Sequence, residues 1–152
     1  MLRQQLNDAL KEAMKAKQQR AVSTLRLILA ALKDRDIANR TEGVDDAGIG
    51  EDQILQLLQS MIKQRRDSIE AYSKGGRQEL ADGEAEEIEI IQRFLPEQMG
   101  DDALAEAVEQ IIAEAGASSI KDMGNVMGVL RGKYAGRMDF GKASALVKVR
   151  LG

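Results

Sequence analysis

The sequence predicts an all-α protein. Apolar side chains recur at spacings of three and four residues along most of the chain, and no segment shows the two-residue alternation of a half-buried strand. The apolar content is mainly aliphatic residues and methionine; the aromatic residues are Tyr72, Phe94, Tyr134 and Phe140, and the single proline is Pro96. Because aromatic side chains favour strands and proline interrupts helices, this composition favours helices.

Two segments at the start of the chain have the periodicity of amphipathic helices. Apolar residues recur at helical spacing in residues 2–14 and again in residues 22–32, on either side of the polar stretch KAKQQR. This pattern predicts two helices or one long bent helix. The following stretch, NRTEGVDDAGIGED, combines glycine with acidic residues and has no periodicity, so it predicts a loop.

Two further helices are predicted before the proline. The third helix starts near Glu51 and ends at the glycine pair at 75–76, because glycine commonly terminates a helix. The fourth helix is stopped by Pro96, since the residue before a proline is displaced from helical backbone angles. Its apolar residues at helical spacing are Leu80, Ile88, Ile91 and Leu95.

The segment PEQMGDD separates these helices from three shorter ones. Proline and glycine interrupt it, so we predict two domains, residues 1–96 and residues 97–152. Asp101 is the expected N-cap of the fifth helix, and Asp139 is the expected N-cap of the seventh. The stretch SSIKD at 118–122 has the serine and aspartate spacing of a capping box, which opens the sixth helix.

Composition excludes several classes of function. The chain has no cysteine and no histidine, which removes thiolate nucleophiles, disulfides, Cys/His zinc sites and imidazole acid–base catalysis. Its apolar runs are too short to cross a bilayer and its start lacks a signal-peptide pattern, so we expect a cytoplasmic protein without membrane contact. We also expect no cofactor, no metal and no catalytic residue.

Charge is segregated along the chain, although the net charge is only −3. Residues 78–115 contain one basic and twelve acidic residues, whereas residues 116–152 contain seven basic and two acidic residues. The basic cluster KQRRD at 63–67 is expected to form a solvated helix face with intrahelical ion pairs, and a nucleic-acid contact is the alternative. The acidic run EAEEIEI at 84–90 is also expected to form a solvated helix face, and a set of carboxylate metal ligands is the alternative. The basic C-terminal part is therefore the expected surface for an acidic partner.

Glycine recurs every fourth residue in KDMGNVMGVLRGKYAGRMDFGK. On a helical wheel Gly124, Gly128 and Gly132 lie away from the apolar core face. Because each interior glycine costs about 1 kcal/mol relative to alanine, a compensating contact is expected. One interpretation is close packing of another helix, with the seventh helix covering part of the glycine face. The other is close approach of a nucleic-acid backbone, flanked by Lys121, Arg131, Lys133, Arg137 and Lys142.

Several stretches resemble the YqeY family over essentially the whole chain, in the family's order and spacing. They are KQRRDSIEAYSKGGRQELADGEAEEIEIIQRFLPEQM, SSIKDMGNVMGVL and GRMDFGKASALVKVRL. Members of this family share a domain with the tail of the GatB subunit of tRNA-dependent amidotransferases. The resemblance implies an all-α protein with a larger N-terminal helical unit and a small three-helix C-terminal unit. It also implies a role connected with tRNA, because the GatB tail contacts tRNA while the chemistry takes place elsewhere.

The glycine stretch and the resemblance together define an expected nucleic-acid-binding surface. Its residues are Lys121, Gly124, Gly128, Arg131, Lys133, Gly136, Arg137 and Lys142. Two positions depart from the family's pattern: Asn125 stands where the family has a basic residue, and Phe140 stands where it has a glycine. The first departure removes a charge from the glycine side of the helix and weakens any phosphate contact there.

Three functions are expected, in descending order. The first is a tRNA-binding or tRNA-associated accessory protein that is not catalytic on its own. The second is a component of a glutamine-dependent amidotransferase, a carbon–nitrogen ligase with glutamine as amido-N-donor, acting on misacylated tRNA. The third is an adaptor that docks on a helix of an aminoacyl-tRNA synthetase or an amidotransferase subunit.

Overall fold

A computed structural model describes residues 1–41 and 48–152 of the chain. The described residues form α-helices and one short 3₁₀ turn, without a strand, so the all-α prediction is confirmed. The helices are α1 (Leu2–Lys15), α2 (Gln19–Thr41), α3 (Glu51–Lys74), α4 (Gln78–Gln92), α5 (Asp101–Ala115), α6 (Met123–Tyr134) and α7 (Phe140–Leu151). Residues 42–47 of the loop predicted after α2 lie outside the described residues, whereas its first three residues belong to α2 and its last two to α3.

The start of the chain forms two helices, not one bent helix. α1 ends at Lys15, and Lys17 then adopts a φ of 56°, a left-handed conformation that a continuing helix cannot contain. The N–H of Gln18 donates to the Ala13 carbonyl at 3.0 Å, which satisfies one of the last carbonyls of α1. α2 therefore starts in a new direction at Gln19 and packs against α1.

The chain forms two compact units, unit 1 (residues 1–95) and unit 2 (residues 96–152). Unit 1 contains α1–α4 around one apolar core, and unit 2 contains α5–α7 around another. The prediction of two domains, residues 1–96 and residues 97–152, stays a prediction. The fully buried side chains at the two centres include Leu6, Ile28, Leu58 and Ile91 in unit 1 and Val108, Leu130 and Val147 in unit 2.

The predicted fourth helix is too long and its apolar face is partly wrong. α4 ends at Gln92, because the next residues tighten into a turn in which Phe94 N–H donates to the Ile91 carbonyl at 3.1 Å. Leu80 is 38% exposed and lies outside the core, whereas Ile90 is buried. The helix therefore stops before the proline restricts it.

Helix caps in unit 2 agree with the sequence at two of three places. The Asp139 carboxylate accepts hydrogen bonds of 2.9 and 3.1 Å from two backbone N–H groups at the start of α7. Ser119 and Asp122 form the predicted capping box before α6. The third prediction is wrong: Gly100 is the N-cap of α5, and Asp101 is its first helical residue. An acidic residue at this position still favours the helix through the macrodipole.

A half-buried ion pair joins α1, α2 and the residues that precede α3. Arg3 donates two hydrogen bonds of 2.7 Å to the Asp36 carboxylate and one of 2.8 Å to the Ile49 carbonyl. The N–H of Ile49 in turn donates to Asp36 at 2.9 Å. The hydrogen bond from Arg3 is the main reason that the pKa of Asp36 lies below its usual value. The stability that this network contributes is therefore present at neutral pH and is lost as the pH falls through the lowered pKa.

The charge-dense stretches at 63–67 and 84–90 are not simply solvated faces. The Arg65 side chain is only 12% exposed, and its Nε lies 3.1 Å from Glu87 and 3.9 Å from Glu84. These partners lie on α4, so the pairing joins two helices instead of two turns of one helix. Arg65 turns inward because it follows the buried Ile62 by one helical turn on the α3 face that packs against α4.

Substituting Glu84 by glutamine is expected to stabilise the protein at neutral pH. Burial, followed by the charge of Glu87, raises the pKa of Glu84 against the opposing effects of Arg65 and Arg20. A raised carboxyl pKa means that the folded chain holds the proton more tightly, so this contribution to stability falls as the pH rises through that range. We expect a gain of about 0.5 kcal/mol, because glutamine keeps the polar contacts without the unfavourable charge.

The measurement is the free energy of unfolding in urea at pH 7 and at pH 4 for the Glu84→Gln variant. The gain at pH 7 should shrink at pH 4, where the wild-type carboxyl is protonated. Glu89→Gln is the matched control, since Glu89 is exposed on the same helix and forms no ion pair within the described residues. Equal effects of the two substitutions would contradict the prediction.

Candidate nucleic-acid interface

The glycines of α6 lie on an open helix surface. Val126, Met127 and Leu130 are buried in the core of unit 2, so the opposite side of α6 faces away from that core. A Cβ added at Gly124, Gly128 or Gly132 would have no atom of the described residues within 4 Å. The expectation that α7 covers part of the glycine face is therefore wrong for the described chain. No helix packing within this part of the protein compensates for these glycines.

Gly136 differs from the other glycines of the predicted surface. It is buried and has a φ of 77°, in the left-handed region that favours glycine, within the turn between α6 and α7. Its carbonyl accepts a hydrogen bond from the side-chain amide of Gln98. The structure therefore places Gly136 inside the turn, where it sets the path of the chain.

The predicted cations fall into two groups. Four of them are exposed and form no ion pair with any described residue: Lys121, Arg131, Lys133 and Arg137. Lys142 instead pairs with Asp101 at 3.1 Å. Because a carboxylate already compensates its charge, Lys142 contributes less to the positive potential of unit 2 than the cations of α6 do.

Unit 2 consequently has a positive side and a negative side. α5 carries five acidic residues and no basic one. Both ion pairs of α7, Lys142 with Asp101 and Arg150 with Glu109, are directed to α5. The other cations of unit 2 form no ion pair with a described residue; they lie on the 3₁₀ turn, on α6, on the turn that follows α6 and, at Lys148, on α7. This asymmetry matches the charge segregation that the sequence predicts.

The turn after α6 groups two of the predicted cations around a tyrosine ring, which helical periodicity alone does not indicate. Lys133 Nζ lies 5.6 Å from the centre of the Tyr134 ring, and the Arg137 guanidinium lies 6.0 Å from the same ring. Arg137 is exposed, and its Nε donates to the Glu97 carbonyl at 3.3 Å. Helical periodicity places Tyr134 on the core face of α6. Periodicity gives the direction in which a side chain leaves the helix, but it does not show where the ring at the end of that side chain lies.

Unit 1 contains a cavity that is separate from the residues of the predicted surface. The cavity, of about 410 Å³, is lined by residues of α1, α2 and the end of α4, and it contains no residue of the predicted surface. Within residues 1–41 and 48–152, no cluster of three acidic side chains has the geometry of a metal site. None of the helices described is long and apolar enough to span a bilayer.

The fold and this surface define an all-α protein whose C-terminal unit carries an exposed, glycine-lined helix side with uncompensated positive charge. The chain also matches the family model described as Yqey-like protein over residues 3–151. It therefore belongs to the YqeY family, and the resemblance found in the sequence is confirmed. Membership extends over both units.

Curated relatives share part of this sequence. Altered inheritance of mitochondria protein 41, mitochondrial, of Eremothecium gossypii is 31% identical over 90 residues, which cover 59% of this chain and 46% of the relative. The protein of the same name in Lachancea thermotolerans is 34% identical over the same length. An uncharacterized protein of Schizosaccharomyces pombe is 30% identical over 86 residues, 65% of its own length. The alignments thus span about half of the mitochondrial relatives.

Proposed function

We propose that this protein is a non-catalytic, tRNA-associated accessory protein that binds structured RNA through the positive side of unit 2. The observation that carries the proposal is the set of exposed cations on α6 and the turn before it, Lys121, Arg131 and Lys133, which no described carboxylate pairs. Phosphates compensate such charges and release counterions on binding. The family's similarity to the GatB tail supports tRNA as the RNA.

The mode of binding follows from what the surface lacks. Unit 2 contains two aromatic residues, Tyr134 and Phe140, and both are at least half-buried, so no row of exposed rings can stack single-stranded bases. Open glycines let a sugar–phosphate backbone approach the α6 backbone closely. Recognition of shape and phosphates in a folded RNA fits these features.

The cellular setting of the proposal is the cytoplasm. The relatives from Eremothecium gossypii and Lachancea thermotolerans carry names that place them in mitochondria. Since both compartments contain tRNA, the proposed partner is present in either one. The role as a component of a glutamine-dependent amidotransferase remains a second proposal, which requires catalytic groups from another chain.

Reversing charge on this surface is expected to weaken tRNA binding at least about tenfold at low salt. The variant combines Lys121→Glu with Arg137→Glu, because these cations lie at the two ends of α6. The measurement is a salt titration of the dissociation constant for total tRNA by fluorescence anisotropy. Wild-type affinity should fall steeply as salt rises, and the variant should show a smaller slope.

The matched control reverses two cations in unit 1, Lys11→Glu with Lys33→Glu. Both are exposed and form no ion pair within the described residues, so the net charge changes equally. Affinity close to wild type is expected for this control. A wild-type protein without salt-sensitive tRNA binding at low ionic strength would overturn the proposed function.

The open glycines also favour the third candidate function, an adaptor that packs this side of α6 against a helix of another protein. Small residues allow two helix backbones to approach closely. The test is a pull-down from nuclease-treated extract with the wild-type protein and with Gly128→Leu. The adaptor function is supported if the wild type captures a synthetase or amidotransferase subunit and Gly128→Leu does not. Gly128→Leu is suitable because no described atom outside the neighbouring turns of α6 lies within 4 Å of a Cβ added at this position.

A further inference from the structure

We propose that the corner formed by Lys133, Tyr134 and Arg137 is a built site for one backbone phosphate of the bound RNA, with the guanidinium of Arg137 as its central donor. The inference rests on the proposed function and deepens it, because it selects one cation of the positive surface as pre-positioned. The site lies at the turn between α6 and α7. Its ligand is a phosphodiester of folded RNA, recognised by charge and geometry.

Arg137 is held in place by three hydrogen bonds. Its N–H donates to the Tyr134 carbonyl at 3.0 Å, and its own carbonyl accepts from the Met99 N–H at 2.8 Å. Its Nε donates to the Glu97 carbonyl at 3.3 Å. The segment before α5 therefore fixes both the backbone and the first nitrogen of the guanidinium, while the two terminal nitrogens have no hydrogen-bond partner among the described residues.

The turn that carries Arg137 is itself constrained. Gly136 adopts a left-handed φ of 77° and is buried, and the Gln98 side chain donates to its carbonyl. The N–H of Met138 donates to the Tyr134 carbonyl at 3.3 Å, and the Met138 side chain is fully buried. Because neighbours on both sides of Arg137 are anchored, the backbone at Arg137 needs little rearrangement when the guanidinium binds a ligand.

Tyr134 holds a second cation in the same corner. Its ring lies within 5.6 Å of Lys133 Nζ and 6.0 Å of the Arg137 guanidinium, which are distances of cation–π contact. Neither cation forms an ion pair with a described carboxylate. Asp139, two residues further along, already accepts two backbone N–H groups of α7. An anion between the two cations would relieve their repulsion.

The chemistry of the exposed nitrogens selects a phosphate. The terminal nitrogens of a guanidinium form a planar fork that donates two parallel hydrogen bonds to a phosphate group. Lys133 adds a point charge beside it. Arg131, by contrast, is exposed on α6 without a hydrogen bond or ion pair to a described residue, so its position is not fixed. Arg137 is therefore expected to contribute more to binding than Arg131 does.

A charge-conserving comparison tests this site. Arg137→Lys and Arg131→Lys each exchange an arginine for a lysine on α6 or its turn, so the net charge is constant. We expect Arg137→Lys to weaken tRNA binding about fivefold or more, because lysine lacks the fork, and Arg131→Lys to leave the affinity near wild type. Arg137→Gln should also lower the salt slope by about one phosphate contact.

The outcomes separate this inference from the proposed function. If the wild-type protein and Arg137→Lys bind tRNA with the same affinity, the proposed phosphate site is wrong, while the proposal of RNA binding is unaffected. Wild-type protein that does not bind tRNA overturns both. If Arg137→Lys unfolds, the Nε–Hε resonance of Arg137 in the wild-type protein decides: it should shift on addition of tRNA more than the Arg131 resonance does, and equal shifts overturn the site.

Discussion

Replacing Gly48 by alanine is expected to lower the free energy of unfolding by about 3 kcal/mol. Gly48 has a φ of 85°, a conformation that side chains rarely adopt. A Cβ at this position would overlap with the Asp36 carboxylate and would lie 2.7 Å from Arg3 Nη2. The substitution therefore adds backbone strain and displaces the ion pair that joins α1, α2 and the start of α3. Urea denaturation followed by circular dichroism measures the loss.

Gly50→Ala is the control for the Gly48 substitution, two residues away in the same segment. Gly50 has a φ of −80° and no described atom within 4 Å of an added Cβ. It is the N-cap of α3, where alanine is less favourable than glycine, so a loss below about 1 kcal/mol is expected. Similar losses in the two variants would show that the Asp36 network is not the cause and would contradict the prediction.

The Arg3–Asp36 network could not be predicted from the sequence, for a physical reason. Arg3 is 33 residues from Asp36 and 46 residues from Ile49 in the sequence. Helical periodicity reports only which residues share a face of one helix. The same limit applies to Arg65, whose partners lie on α4, and to Lys142, whose partner lies at the start of α5. Sequence reasoning treats such charges as solvated unless a partner stands within one turn.

Helix ends that depend on neighbouring residues, such as a terminating glycine or an N-cap aspartate, could be predicted from the sequence. Gly116 adopts a left-handed φ directly after α5, and Gly76 does so two residues after the end of α3. Asp139 caps α7 through hydrogen bonds to its own neighbours. The end of α4 is less predictable. The proline two residues after Phe94 sets only the last position that the helix could reach. The helix ends earlier because the turn at Phe94 packs against the core of unit 1. Tertiary packing decides where such a helix stops.

The candidate surface was predictable in outline but not in detail. The helical wheel places the glycines of α6 away from the core, and the structure leaves that side open. The contributions of individual cations depend on neighbours distant in sequence: Asp101 compensates Lys142, and Glu97 positions Arg137. Residues 97–99, which the sequence presents as a linker, instead form hydrogen bonds to the turn after α6.

The glycines of α6 lower the stability of the helix, but they leave one side of it open to a partner. Within the described chain nothing packs on Gly124, Gly128 or Gly132, so their cost in helix stability is not repaid by any internal contact. Natural sequences retain such costs at functional sites. The glycine face therefore provides a test in which stability and binding are expected to change in opposite directions.

Replacing Gly124, Gly128 and Gly132 together by alanine is expected to raise the free energy of unfolding of unit 2 by about 2 kcal/mol. The three positions are helical and exposed, and the added methyl groups meet no described atom. Hydrogen exchange of the α6 amides measures the gain in this unit specifically. Affinity for tRNA should fall in the same variant, because a row of methyl groups keeps the RNA backbone away from the helix.

Val129→Ala separates these two effects. Val129 is 42% exposed on α6, and alanine there favours the helix by about 0.5 kcal/mol without changing the glycines. Val129→Ala should bind tRNA with the affinity of the wild type. That result would mean that the triple variant loses tRNA affinity because of the added methyl groups and not because its helix is stiffer. A triple variant that gains stability and binds tRNA normally would confine RNA binding to the cations. A triple variant without a gain in stability would mean that the α6 backbone is already constrained by a contact on this face.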